Sequence, residues 1–480
     1  MNLARVLDGA ARTHPARVAL LLENGDSITY DELRARAVAA AHELRERGVA
    51  AGDRVALVLP NGADFVAAYF GTLRLGAIVV SLNPLLAAPE IEERVVRAEP
   101  RTVLDGPLDL RPPPAPTAVV ERDDADAAAL LFTSGTSGAA KGAMLTHGGL
   151  RAAALAAADA LALTEDDVVL GAAPFSHVLG QATGILSTLG TGAAVAVVRR
   201  FDPDDALRFM SETGTTILLG VPAMCIGLCR AARTATRLPP LRVAHVGGAP
   251  VPPQVVDDVE RTFGAQVREG YGLTELSGIA TSYAAGEPRR PGSVGRPLGD
   301  TEIRVVAHDG RPLPPHEVGE VQLRGPSVIP GYWRDDDATR AALSPDGWLA
   351  TGDLGYLDDD GYLFLVDRKK ELIIRGGYNV YPRAVEDVLY AHPDVLEAAV
   401  VGVPHDVLGE DVLAAVVRRP GSALTAHELQ TFAKERLAAY AYPRHVVFVD
   451  DLPKGATGKV LKRALDPAAL VRDARPKEVA

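Results

Sequence analysis

The pattern of hydrophobic residues over the first hundred positions predicts helices that alternate with buried strands. Thr29 and Glu32 have the spacing of a capping box, in which both side chains satisfy free N–H groups at a helix start. The apolar face of that helix is formed by Leu33, Ala37, Ala41 and Leu44. Next come a strand at Arg54–Leu59, a helix near Asp64–Leu75 and a strand at Ala77–Leu82. This order predicts parallel α/β construction.

The pattern changes twice further along the chain. Short strand patterns separated by Gly, Pro and Asp predict a β-rich region at Gly299–Val306, Gly319–Leu323 and Gly361–Val366. After Arg368, helical and strand patterns form a compact α+β unit, which includes a second capping box at Thr425. We therefore predict an α/β fold with a large N-terminal domain, residues 1–367, of layered α/β sheets and a β-rich subdomain. A small α+β domain, residues 368–480, follows.

Composition narrows the class of protein. The 480 residues are 47% hydrophobic and 23% charged, with a net charge of −12, so we expect a globular protein that is not a general nucleic-acid binder. No uncharged apolar run is long enough to predict a membrane span, and the first residues do not resemble a signal peptide. Two cysteines exclude a disulfide framework. The expected location is the cytoplasm.

The most informative segment is Thr133–Gly142, which combines three glycines, several hydroxyl side chains and Lys141. Glycines let backbone amides turn toward an anion, and the lysine adds positive charge. The segment follows an apolar run that predicts a strand, and Leu145–Leu150 after it predicts a helix. It is not a Walker A loop, because Lys141 is followed by Gly142. A flexible connector is the alternative interpretation.

The loop resembles the phosphate-binding signature of the acyl-adenylate-forming superfamily, which includes acyl-CoA synthetases, peptide-synthetase adenylation domains and firefly luciferase. Fatty acyl-CoA synthetases are the most similar branch. Ala140 departs from this signature, because family members usually have proline at its position. The resemblance implies that the ATP phosphates are held by Thr133, Ser134, Gly135, Thr136 and Lys141.

Further segments resemble family motifs in the same order along the chain. In Glu269–Glu275, the resemblance implies that Tyr271 stacks on adenine and that Gly272 belongs to the ATP site. It implies that Thr274 and Glu275 are catalytic residues, which contact a phosphate and hold Mg²⁺ respectively. A flat ring, a hydroxyl and a hard carboxylate suit these three partners. The alternative is a turn with a capping residue. The segment implied to lie along adenine and the acyl pocket is Gly247, Gly248, Ala249 and Pro250.

The C-terminal motifs complete the resemblance. Asp353 and Arg368 are implied to bind the ribose hydroxyls, and Lys370 to be the hinge about which a mobile C-terminal domain rotates. Gly376 and Gly377 are implied to line a tunnel for the thiol. Lys459 is implied to be the catalytic lysine that bridges the acid and the α-phosphate. The alternative for Lys459 is a solvated surface cluster with its basic neighbours Lys454, Lys462 and Arg463.

The acyl pocket is assigned by resemblance to Phe175, Ser176, His177, Gly220, Val221, Gly247, Gly272 and Leu273. No acidic residue occurs between Pro174 and Thr188. An unpaired ammonium would be costly in such a pocket, so an α-amino acid is disfavoured and a fatty or otherwise apolar acid is expected.

The resemblance implies two half-reactions: a carboxylic acid and ATP give acyl-AMP and pyrophosphate, and a thiol then takes the acyl group. ATP, Mg²⁺ and CoA are the expected cofactors. The phosphopantetheine arm of a carrier protein is the alternative acceptor. A luciferase-like oxidase or an inactive nucleotide-binding protein is a remoter alternative.

Overall fold

The structure is a computed structural model that describes residues 1–108, 110–111, 117–133, 140–455, 460–467 and 469–470. The chain divides into two compact units. The first unit comprises Met1–Val251, Val255–Ile303 and Gln322–Ala350, and the second comprises Pro252–Gln254, Arg304–Val321 and the chain from Thr351 onward. The boundary between residues 367 and 368 stays a prediction.

The elements are given in chain order. The helices are α1 (Ala4–Thr13), α2 (Tyr30–Glu46), α3 (Ala63–Arg74), α4 (Ala88–Ala98), α5 (His147–Leu161), α6 (Ser187–Thr191), α7 (Pro203–Thr213), α8 (Pro222–Ala231), α9 (Pro253–Phe263), α10 (Asp336–Ala342), α11 (Pro382–Tyr390) and α12 (Ala426–Lys434). A π-helix covers Leu179–Leu186, and short 3₁₀ helices cover Thr274–Leu276 and Lys462–Ala464.

The strands are β1 (Val18–Leu22), β2 (Ser27–Thr29), β3 (Arg54–Leu57), β4 (Ile78–Ser81), β5 (Thr102–Leu104), β6 (Ala127–Thr133), β7 (Lys141–Thr146), β8 (Val168–Gly171), β9 (Ala194–Val197), β10 (Ile217–Gly220), β11 (Val243–Gly247), β12 (Gln266–Leu273), β13 (Gly278–Ser282), β14 (Arg296–Pro297), β15 (Glu302–Val306), β16 (Gly319–Arg324), β17 (Leu349–Leu357), β18 (Leu363–Arg368), β19 (Ile373–Arg375), β20 (Tyr378–Val380), β21 (Val395–His405), β22 (Gly409–Arg418) and β23 (His445–Phe448).

The first unit holds two sheets. One has the strand order β14-β13-β12-β11-β10-β8-β9-β1-β2 and the other β5-β3-β4-β6-β7. β3 and β4 pair in parallel, as the strand–helix–strand pattern predicted. The capping box of Thr29 and Glu32 is also confirmed at the start of α2. The apolar faces of α1, α2 and α3 meet in one core that includes Phe65 and Phe175.

The predicted β-rich region forms a four-stranded sheet with the order β15-β16-β17-β18. The second unit contains a sheet in which β22 lies between β19 and β21 and pairs in parallel with β23. Helices α11 and α12 pack on its apolar face, and Thr425 caps α12 as predicted. No helix in the described ranges combines the length and hydrophobicity needed to cross a bilayer.

Candidate active site

The predicted phosphate loop is carried by an antiparallel pair of strands. β6 and β7 pair so that Thr133 lies opposite Lys141. The Thr133 hydroxyl donates to the Lys141 carbonyl at 3.5 Å, which joins the two strand ends. Three predicted phosphate-binding residues lie outside the described residues: Ser134, Gly135 and Thr136.

The prediction of a helix at Leu145–Leu150 is wrong for Leu145 and Thr146. β7 continues to Thr146, and Leu145 pairs with Ala129 of β6. Helix α5 begins at His147, where the Thr146 side chain accepts a hydrogen bond from the Gly149 N–H at 2.9 Å. Short apolar runs do not separate strand from helix by themselves, and pairing with β6 decides the outcome here.

Lys141 extends over the ring of Tyr332, a residue that none of the motifs above contains. Its ammonium nitrogen lies 5.3 Å from the centroid of the Tyr332 ring, within the range of a cation–π interaction. The preceding Ala140 is buried, and its carbonyl accepts a hydrogen bond from the Arg97 guanidinium. Lys141 therefore has a defined position at the base of the loop.

The second predicted motif lies at the end of β12, which pairs in parallel with β11 and antiparallel with β13. The 3₁₀ turn at Thr274–Leu276 follows directly. Tyr271 is buried and Gly272 is exposed, whereas Thr274 and Glu275 are half-buried. The strand end thus presents a hydroxyl and a carboxylate at partly accessible positions of the first unit.

Tyr332 connects this turn to the phosphate-loop strands. Its hydroxyl donates to Glu275 Oε1 at 2.9 Å, and its side chain is buried. Burial and the neighbouring Glu275 carboxylate raise the pKa of Tyr332 above its ordinary value, so the phenol stays a neutral donor. The only sequence signal was the pair Tyr332-Trp333 after Pro330 and Gly331.

The glycines near the end of β11 and β12 allow close approach of backbones. A Cβ atom at Gly247 would lie 2.7 Å from the Gly270 carbonyl oxygen, and one at Gly272 would lie 2.1 Å from that of Gly278. No L side chain fits at these distances. The other residues predicted to contact adenine or the acyl group follow the ends of neighbouring strands. Gly248, with φ of +74°, Ala249 and Pro250 come after β11. Gly220 ends β10 and is followed by Val221, and Leu273 ends β12.

The predicted acyl-pocket segment after β8 begins in the core. Phe175 is 1% exposed, and its ring lies 5.7 Å from that of Phe65. The Asn61 side chain accepts a hydrogen bond from the Phe175 N–H at 2.7 Å. Ser176 and His177 are half-buried, so they are the more accessible residues of this segment.

In the second unit, β17 and β18 bring two predicted ribose-binding residues together. Asp353 lies opposite Arg368 in the strand register, and Arg368 Nε is 3.0 Å from Asp353 Oδ1. The Asp353 side chain is 9% exposed, against 49% for that of Arg368. The Thr351 hydroxyl accepts a hydrogen bond from the Asp353 N–H at 3.1 Å and donates to the Val321 carbonyl at 2.7 Å.

The predicted hinge follows a buried carboxylate. Asp367 accepts hydrogen bonds from the Arg368 N–H at 2.6 Å and the Arg383 N–H at 3.0 Å, which ties β18 to the start of α11. Burial raises the pKa of Asp367. Lys370, the predicted hinge residue, is exposed.

Gly376 and Gly377 form the turn between β19 and β20, with Arg375 opposite Tyr378. Their φ angles are +58° and +83°. Positive φ at both central residues is what a two-residue type I′ hairpin turn requires, and glycine supplies it without strain. The predicted thiol-tunnel segment is therefore a tight exposed turn.

Lys459 lies outside the described residues. Lys454 and Val460, which flank it in sequence, form an antiparallel bridge. Lys454 Nζ lies 2.9 Å from carboxylate oxygens of both Glu397 and Asp451. Lys454 is thus held by two acids.

Lys462, which the alternative interpretation places in a solvated surface cluster, has a side chain that is only 19% exposed. Its ammonium lies 3.0 Å from Glu371 Oε2 and 2.8 Å from Glu386 Oε1. Glu386 also accepts a hydrogen bond from the Val400 N–H at 2.7 Å. Burial is the largest cause that raises the pKa of Glu386, to about 7. Nothing in the sequence spacing pointed to this cluster.

Two sequence profiles of known families match most of the chain. Residues 7–115 and 105–333 match the sequence profile of the AMP-binding enzymes, and residues 384–459 match that of the AMP-binding enzyme C-terminal domain.

Two relatives and one solved structure cover nearly the whole chain. A long-chain-fatty-acid–CoA ligase of Bacillus subtilis is 32% identical over 97% of this chain and 94% of its own. A feruloyl-CoA synthase of Amycolatopsis sp. is 35% identical over 94% of this chain and 96% of its own. The crystal structure of ATP-bound MatB from Rhodopseudomonas palustris has a TM-score of 0.89 and 33% identity, covering 98% of this chain and 99% of MatB. The chain therefore belongs to the AMP-binding enzyme family and is an AMP-forming acid–thiol ligase of the adenylate-forming superfamily.

Proposed function

We propose that this protein activates an apolar carboxylic acid as its acyl-adenylate and then transfers the acyl group to CoA. The carboxylate oxygen attacks the α-phosphorus of ATP and pyrophosphate leaves. The thiol sulfur then attacks the acyl carbon, and AMP leaves. The observation that carries the proposal is that Lys141 and Glu275, which come from two separate motifs, both contact Tyr332 in the first unit: the cation contacts its ring and the carboxylate accepts from its hydroxyl.

In the nucleotide site, Thr133, Thr274 and Lys141 would hold phosphate oxygens, and Tyr271 would offer its ring to adenine. Glu275 would hold Mg²⁺, a hard cation that usually takes one or two carboxylates together with substrate phosphates. The donor set fits this ion, because one oxygen of the half-buried Glu275 carboxylate accepts from a neutral phenol and no charged group pairs with it among the described residues. When bound, Mg²⁺ would neutralise phosphate charge.

In the second unit, Asp353 and Arg368 would bind the ribose hydroxyls. A carboxylate has enough lone pairs to accept from a guanidinium and from two hydroxyls. The ion pair of 3.0 Å orients Asp353 and compensates its charge, which suits a neutral ligand.

Lys459 would act in the first half-reaction only. The acid and the α-phosphate repel each other until a cation lies between them, and one ion pair at about 4 Å contributes roughly 4 kcal/mol at an effective dielectric of about 20. The C-terminal domain would rotate about Lys370 between the two half-reactions. Gly376 and Gly377 would then line the tunnel through which the thiol enters.

The apolar substrate is inferred from the absence of charge in the predicted pocket segment. Residues 174–188 contain no Asp, Glu, Lys or Arg, and His177 is their one titratable side chain. An acid with an ammonium or a second carboxylate would lose its solvation there without a counter-charge. Among the relatives, the names long-chain-fatty-acid–CoA ligase and feruloyl-CoA synthase agree with an apolar acid, whereas 2-succinylbenzoate–CoA ligase, 34% identical over 94% of this chain, is named for an acid with two carboxylates.

The test is ATP–pyrophosphate exchange with purified protein across fatty, aromatic, amino and dicarboxylic acids. We expect exchange with apolar monocarboxylic acids and thioester formation when CoA is added. Exchange with amino or dicarboxylic acids alone would overturn the substrate class. Thioester formation with a phosphopantetheine carrier protein but not with CoA would overturn the acceptor.

A further inference from the structure

The backbone around Tyr332 is attached to the phosphate-loop strands. Tyr332 forms an antiparallel bridge with Ala143 of β7, and the Trp333 N–H donates to the Gly142 carbonyl at 2.7 Å. The Tyr332 N–H donates to the Thr339 hydroxyl at 2.9 Å. These contacts fix the position of Tyr332 relative to the strand that begins with Lys141.

The same segment is attached at its other end to the turn that carries Glu275. The Ile329 N–H donates to the Glu275 carbonyl at 2.9 Å. The Ser277 hydroxyl donates to the Ser327 carbonyl at 2.8 Å. Residues 327–333 therefore bridge two motifs that are far apart in sequence.

The Tyr332 side chain makes a separate contact with each motif. Its hydroxyl donates to Glu275 Oε1 at 2.9 Å, and its ring lies 5.3 Å from Lys141 Nζ. A phenol donor orients a carboxylate and leaves its full negative charge, whereas a lysine or arginine donor would compensate that charge. The ring attracts the ammonium without neutralising it.

We propose that Tyr332 is a positioning residue: its hydroxyl holds the Glu275 carboxylate ready for a divalent cation, and its ring holds the Lys141 ammonium. This inference rests on the proposed function, because it assigns Glu275 to the metal of a metal–ATP complex. Tyr332 itself need not touch the nucleotide.

The experiment is isothermal titration calorimetry of Tyr332→Phe with ATP, once with Mg²⁺ and once with EDTA. The variant keeps the ring and loses the hydroxyl. We expect the Kd for ATP to rise about tenfold with Mg²⁺ and to stay within about twofold of wild type in EDTA, because only the carboxylate loses its orientation. Equal weakening under both conditions, or none, would overturn the inference.

Tyr30→Phe is the matched control. Tyr30 is also buried, and its hydroxyl donates to the Ala193 carbonyl at 2.6 Å. It should leave the Kd for Mg·ATP within about twofold of wild type. A tenfold change in the control would mean that loss of any buried hydroxyl has the same effect, and it would overturn the specific role of Tyr332.

A double-variant cycle separates positioning from general loss of structure. In a Glu275→Ala background, Tyr332→Phe should change the Kd for Mg·ATP less than twofold, because the carboxylate is already gone. An undiminished tenfold effect would contradict positioning through Glu275. If wild-type protein itself binds ATP no better with Mg²⁺ than with EDTA, the proposed function fails instead.

Discussion

The two units hold their predicted nucleotide-binding carboxylates in opposite ways. In the first unit, Glu275 accepts from the neutral Tyr332 hydroxyl and keeps its charge. In the second unit, Asp353 is paired with the Arg368 guanidinium at 3.0 Å. The difference corresponds to the proposed ligands: a metal cation needs an uncompensated anion, whereas ribose hydroxyls need only well-placed acceptors. The group that pairs with each carboxylate therefore helps to indicate which ligand the carboxylate binds.

Removing the charge of Glu275 should have the largest effect. Glu275→Gln keeps an oxygen that can accept from Tyr332 but removes the anion. We expect kcat/KM for ATP–pyrophosphate exchange to fall about a thousandfold, since one cation–carboxylate interaction is of the order of 4 kcal/mol. The affinity for AMP without metal, measured by calorimetry, should be unchanged. A loss below tenfold would contradict the metal-binding role.

Asp353→Asn should have a smaller effect of a different kind. The variant weakens the acceptor and removes the carboxylate that forms the 3.0 Å ion pair with Arg368. We expect AMP affinity to fall about thirtyfold, which corresponds to about 2 kcal/mol for hydrogen bonds to a charged acceptor. The Mg²⁺ concentration for half-maximal exchange should not move. A shifted Mg²⁺ requirement would show that the two carboxylates are not functionally distinct.

A third carboxylate, Glu386, extends the comparison to a buried group whose pKa is raised from 4.5 to about 7. Between these values the folded protein holds a proton that the unfolded chain has lost. Stability should therefore decrease as the pH rises from 4.5 to 7, by at most about 1.4 kcal/mol per unit, and level off above 7. Urea unfolding at several pH values should show this slope, and Glu386→Gln should reduce it. An identical slope in the variant would contradict the assignment.

The smallest effect is expected for Lys369, the neighbour of Arg368. Its ammonium pairs with Glu320 at 2.9 Å, and it is about half exposed. Surface pairs of this kind contribute about 0.5 kcal/mol or less. Lys369→Gln should leave AMP affinity within about twofold of wild type and serves as a charge-matched control for Arg368→Gln. If Lys369→Gln lowered the AMP affinity as much as Arg368→Gln does, the specific role of Arg368 at the ribose would be contradicted.

Local signals in the sequence predicted local structure well. The capping boxes at Thr29 and Thr425 and the parallel pair β3 and β4 were all predicted from spacing. Each capping box depends on two residues three positions apart, and the β3–helix–β4 order follows from the hydrophobic period within each segment. The start of α5 was missed, because an apolar run such as Leu145–Leu150 suits a strand or a helix until its pairing partner is known.

Contacts between distant segments were not predictable in the same way. Tyr332 and Glu275 are 57 positions apart, and no periodicity relates a tyrosine to a carboxylate at that separation. Asp353 and Arg368 were both predicted at the ribose, but their ion pair follows from the register of β17 and β18. The alternative that placed Lys462 in a solvated surface cluster missed its two ion pairs, because Glu371 and Glu386 are far from it in sequence.

The glycine positions on β11 and β12 limit how this enzyme can be redesigned. Carbonyl oxygens of neighbouring strands occupy the space that a side chain at Gly247 or Gly272 would need. These two predicted acyl-pocket positions therefore accept no larger residue unless a strand moves. Libraries that aim to change the accepted acid should vary Ser176 and Val221, where side chains already contribute to the surface.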